Sequence, residues 1–117
     1  MQLLLTLDEL QLTVDVLEQR NAELRNEIVK TEHSEFKHRL QNEQQFLDEL
    51  ENKLIRRELD LDSDELDVLA EELKHCDRAL IEECVRTNHR DFRKALEQRQ
   101  EMLQRVRDKV TEACAMA

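Results

Sequence analysis

The sequence predicts an all-α fold, a long antiparallel coiled-coil hairpin of two helices. Three observations carry that prediction. The 117 residues include no glycine and no proline, the residues that make turns with unusual backbone angles. Apolar residues, mostly leucine, recur three then four apart along nearly the whole chain. One stretch near the middle, ELDLDSDELD at residues 58–67, interrupts that spacing and carries a helix-start signature. With no tryptophan, no tyrosine and three phenylalanines, the burial available is a narrow apolar stripe, so the expected shape is a rod.

The first long helix is expected over residues 1–60. Its opening seam reads Leu3, Leu7, Leu10, Val14, Leu17, Asn21, Leu24, Ile28, with Asn21 the one polar member. The spacing then jumps near 28–33 and a second seam follows: Val29, His33, Phe36, Leu40, Glu43, Leu47, Leu50, Leu54, Arg57, Leu61. A turn is expected at 61–64, where Asp62, Ser63 and Glu65 fit an aspartate version of the capping box. Arg56 and Arg57 before it, and Asp62, Asp64 and Glu65 at or after it, match the dipoles of a helix ending and a helix beginning. The second long helix, residues 65–117, carries Leu66, Leu69, Leu73, Cys76, Leu80, Glu83 and Thr87. After another jump near 87–92 come Phe92, Leu96, Arg99, Leu103, Val106, Val110, Ala113 and Ala117.

Folding at the turn sets a positions against d positions: Leu54 with Leu69, Leu50 with Leu73, Leu47 with Cys76, and further out Leu24 with Leu96 and Leu17 with Leu103. Asn21 then faces Arg99, and this polar pair is expected to fix register at some cost in stability. The hairpin would be about 87 Å long at 1.5 Å per residue. Two other architectures fit the heptads. A parallel dimeric rod of about 175 Å is one, although in register it sets Arg20 against Arg25 and Glu27 against Glu32 across the interface. The other breaks the chain also at 31–34 and 87–89, with Ser34 and Asn88 as caps, into a four-helix bundle.

A second apolar stripe, Leu4, Leu5, Leu12 and Val16, lies away from the first seam and is expected to make an intermolecular contact, by self-association into a homodimer or with a partner helix. Phe46, Ile55, Val68, Ile81 and Val85 are also off the seam and are read as widening it, or as serving a four-helix assembly.

Composition excludes several functions. A net charge of −10 opposes nucleic acid and anionic membranes. No apolar run is long enough to span a bilayer, and MQLLLTLDEL lacks a signal peptide's basic start. Cys76, Cys84 and Cys114 form no CxxC pair and read as reduced thiols of a cytoplasmic protein, with Cys76 a small seam hydrophobe. Two Glu-x-x-His pairs, Glu35 with His38 and Glu72 with His75, have di-metal spacing, but the heptad places both histidines on solvated faces. Without a glycine loop or a nucleophile, base and oxyanion donor on separate elements, no catalytic residue, cofactor, metal or small-molecule substrate is expected.

Charge is uneven: residues 58–72 hold eight acids and no base, while residues 86–110 hold eight bases and four acids. The chain resembles coiled-coil proteins as a class. It reads as a piece of something longer, a non-enzymatic interaction and spacer module of a cytoplasmic scaffold, cytoskeletal or trafficking protein. The alternative is an obligate parallel dimerisation rod that brings two copies of attached domains together.

Overall fold

A computed structural model describes residues 2–116, so Ala117 of the last seam lies outside the described residues. It is all-α, with four helices: α1 Leu7–Lys30, α2 Ser34–Ile55, α3 Ser63–Arg86 and α4 Arg90–Met116. Each expected long helix is therefore broken once, at 31–33 and at 87–89, where the heptad spacing jumps. The molecule measures 45 × 35 × 24 Å, against the roughly 87 Å of an unbroken hairpin.

The breaks form without glycine because they need no left-handed backbone. Thr31 ends α1 at φ −88°, ψ 124°, and Thr87 ends α3 at φ −84°, ψ 122°, both extended conformations open to any residue. Each threonine hydroxyl donates back to the carbonyl four residues earlier, on Glu27 and Glu83. His33, rather than Ser34, caps α2, its Nδ1 accepting from the Phe36 amide. The residue expected to cap the fourth helix, Asn88, lies in the loop before α4.

The middle connection uses different chemistry. α2 closes in a Schellman arrangement, with the Glu58 amide donating to the Lys53 carbonyl and the Arg57 amide to that of Leu54. This puts Arg57 at φ 60°, a left-handed position usually taken by glycine. The chain then runs to Asp62, whose carboxylate accepts from the Glu65 amide while Glu65 accepts from the Asp62 amide. Thr6 and Glu9 make the same reciprocal box at the start of α1. Leu3 and Leu7 both belong to the expected helical seam, but the helix starts only after this cap. Leu3 instead lies in a short strap whose amide donates to the Leu59 carbonyl, and it is buried with Leu61. Leu7, in the first turn, is exposed.

Each helix packs chiefly on its neighbour in sequence, α1 with α2 and α3 with α4, and α1 also touches α3 and α4. The expected pairing of first half with second is thus replaced by two local hairpins. Adjacent heptad helices satisfy one another across a three-residue connection, at far less loop-closure cost than zipping two whole halves. On α1, Leu10 and Val14 border α2, while Glu9, Val16 and Arg20 border α3 and α4. Leu12 and Val16, expected to contact another molecule, are buried inside this chain; Leu5 is half-buried and Leu4 exposed. Leu17, Leu24, Leu40, Leu47, Leu50, Leu54, Leu66, Leu69, Leu73, Leu80, Leu96, Leu103, Val106 and Val110 are buried in one core. Leu10, Ile28 and Cys76 flank it, and Phe36 and Phe92 are exposed.

Laid side by side, the hairpins are two copies of one unit, displaced by 56 positions: Thr6 with Asp62, Glu9 with Glu65, Thr31 with Thr87. Core leucines coincide (Leu10 with Leu66, Leu17 with Leu73, Leu24 with Leu80, Leu40 with Leu96, Leu47 with Leu103). So does the first turn region, VKTEHSEF against VRTNHRDF at residues 29–36 and 85–92.

Candidate functional site

Inside each hairpin a polar pair interrupts the leucines at the same level. The Asn21 amide nitrogen donates to Glu51 at 2.9 Å, and Arg107 donates to Asp77 at 2.7 Å. Both pairs span 30 residues and occupy equivalent positions in the two copies. The expected Asn21–Arg99 pair is not formed, because the local hairpin puts α2, not α4, against Asn21. Each pair is incompletely satisfied: Asn21 Oδ1 and Asp77 Oδ1 are buried without a hydrogen-bond partner among the described residues. Burial pushes the Glu51 carboxyl above its ordinary range, and Glu18 and Asp48 add to this against the opposing Asn21 bond. Such a layer costs stability relative to leucine but penalises a slip of one helix along the other.

Between the hairpins lies a charged face. Buried Glu9 accepts from Lys109, with Arg105 at 3.7 Å, and Glu65 accepts from Lys53 at 2.9 Å. Burial alone would raise the Glu9 carboxyl, but the Lys109 and Thr6 bonds outweigh it and hold it below its ordinary value. Arg20 reaches Glu23 and Glu43 at 3.4 Å and Glu72 at 3.6 Å. Burial of Glu72 raises its carboxyl even so.

A cleft of about 280 Å³ opens beside this cluster, lined by Val16, Glu72, Cys76, Leu80, Leu96 and Arg99 among others. Repeat alignment explains its position. Cys76 stands where the first copy has Arg20, and Arg99 where it has Glu43. A short thiol thus occupies the place of a long guanidinium side chain and leaves space. Burial raises the Cys76 thiol despite nearby Arg99, so it is not poised as a thiolate.

Of the Glu-x-x-His pairs, His38 is exposed and His75 lines the cleft. Among the described residues, no group of three or more His, Cys, Asp or Glu is placed to hold a metal ion, and no helix is long and apolar enough to cross a membrane.

At the hairpin tips, residues expected on the seams (Val29, Phe36, Phe92) or widening them (Val85) face water instead. Val29 and Val85 are 84% and 79% exposed, and Phe36 and Phe92 are 46% and 55% exposed. All are identical between copies, as are His33 and His89, and charge sign is kept at Lys30 with Arg86, Glu35 with Asp91 and Lys37 with Arg93. A comparison of the chain with itself would have found them. Against protein-family models, curated proteins and solved structures the chain has no significant match.

Proposed function

We propose that this chain is a non-enzymatic protein–protein interaction and spacer module of a larger intracellular scaffold, cytoskeletal or trafficking protein, with its two hairpin tips as equivalent docking points. The observation that supports this reading is the repetition of exposed apolar residues. Val29 and Val85 stand in the last turns of α1 and α3 with most of their surface in water, and neither is needed to fill the core. Elsewhere on the surface the copies have drifted: Glu18 faces the position of Lys74, Arg25 that of Ile81 and Arg39 that of Ala95. Retention of valine, histidine and phenylalanine at exposed positions in two otherwise divergent copies fits a contact made twice. Two linked contacts raise avidity without a new type of contact. The spacer is short, 45 Å at its longest, and the breaks at 31–33 and 87–89 remove the continuous helices that a parallel rod requires.

Proximity labelling in cells tests this reading, with the intact chain compared with a variant carrying Val29→Ala, Phe36→Ala, Val85→Ala and Phe92→Ala. The variant should keep its helical circular dichroism and lose its labelled neighbours. An unchanged set of neighbours with the fold intact refutes docking at the tips.

A further inference from the structure

The face between the hairpins repeats one contact twice. Glu9 of the first hairpin binds Lys109 of the second, and Glu65 of the second binds Lys53 of the first. Glu9 and Glu65 are equivalent positions, and so are Lys53 and Lys109. Each hairpin therefore offers its neighbour the same glutamate from its first helix and the same lysine from its second, the hallmark of an isologous contact between like subunits. Here the two like units lie in one chain.

We propose that this face is a self-association surface, closed within one chain in this structure and able to join two copies of the chain by exchange of hairpins. The occupant is a second copy because the surface is complementary to itself: every contact of the closed form recurs when the second hairpin comes from another molecule. Only two segments must rearrange. One is the connection 56–62, which already holds Arg57 in a left-handed conformation, and the other is the strap tied to it by the Leu3–Leu59 bond. A short, strained hinge favours such exchange. At low concentration the closed form prevails, because its two hairpins are tethered.

Charge reversal tests the proposal on the full chain. Glu9→Lys and Lys109→Glu, made in separate chains, each place like charges across the face. Mixed in equal amounts, warmed through the melt and cooled, they can restore both contacts only by exchange: the first hairpin of each chain then meets the second hairpin of the other. The expected result is a species of twice the 14.0 kDa chain mass in sedimentation, melting well above either variant alone. If Glu9→Lys fails to fold for want of its capping carboxylate, Arg20→Glu mixed with Glu72→Lys makes the same test, because Arg20 of the first hairpin meets Glu72 of the second at 3.6 Å and neither caps a helix.

The control is Asp77→Arg mixed with Arg107→Asp. These partners sit in the same hairpin, so exchange cannot reunite them and no rescue is expected. A mixture of the inter-hairpin pair that stays monomeric with unchanged melts overturns the proposal, as does rescue of the control pair to the same extent.

Discussion

Replacing Leu12 and Val16 together by alanine distinguishes an internal face from an intermolecular one. Both side chains are buried, at 4% and 5% exposure; Val16 lies towards α3 and α4, and Leu12 stands one turn before it on the same face of α1. Truncating a buried leucine to alanine costs about 2–5 kcal/mol. The valine loses two methyl groups, roughly 1.6 kcal/mol at about 0.8 per group. Val16 borders the cleft, where the surroundings relax more readily, so the low end of the leucine range is appropriate. The pair should therefore lose about 4 kcal/mol. A domain of this size has roughly 5–15 kcal/mol in total, and the melting temperature should fall by about 10–20 °C. Urea and thermal unfolding followed by circular dichroism, repeated across a hundredfold dilution, measure this. Were the stripe an intermolecular contact, the diluted chain would keep its stability and lose only association. A loss below about 1 kcal/mol at high dilution refutes the assignment.

Three further outcomes follow from the polar groups and the turn. Glu51→Gln should stabilise the protein at pH 7 by about 0.5–1.5 kcal/mol, since an amide can donate to the unpartnered Asn21 Oδ1 and removes repulsion from Glu18 and Asp48. Its advantage should shrink in acid: the folded-state carboxyl is raised, so the wild type gains stability as pH falls through that value towards the ordinary carboxylate range. Urea titrations at neutral and acidic pH check both statements. Glu9→Gln has the opposite sign, because Glu9 is held below 4.5 in the fold. Its contribution is present above that ordinary value and is lost as pH falls through the lowered one, so the variant should cost about 1–3 kcal/mol near pH 7 and less in strong acid. Arg57→Gly should stabilise by about 0.5–1 kcal/mol in thermal melts, by relieving the left-handed backbone at φ 60°.

The helical class was legible from composition and from leucine spacing, and the region around Asp62 and Glu65 was recognisable because capping boxes have a local signature. The pairing of helices was not. Heptads align in many registers, so Leu17 can be set against Leu103 on paper as easily as the leucines of α2 against those of α1. What decides is the break at Thr31–His33, and it leaves little trace because an extended threonine and a histidine cap need no glycine. Two-sided burial of α1 was visible in Leu12 and Val16, but nothing in that stripe shows whether the cover comes from the same chain. At the tips the difficulty is of another kind. Val29 and Phe36 fit the spacing of a buried seam, so periodicity places them inside although they face water, and only their recurrence as Val85 and Phe92 marks them out.

The central claim is that each half of the chain folds back on itself. Labels at Ala22 and Asn52, both exposed and next to the Asn21–Glu51 pair, measure it directly by electron–electron spin resonance on chains diluted with unlabelled protein, Cys76, Cys84 and Cys114 having been replaced by serine. Packed neighbouring helices predict a separation within about 20 Å, spin-label arms included. A separation near 45 Å, the length of thirty residues in one unbroken helix, contradicts the account.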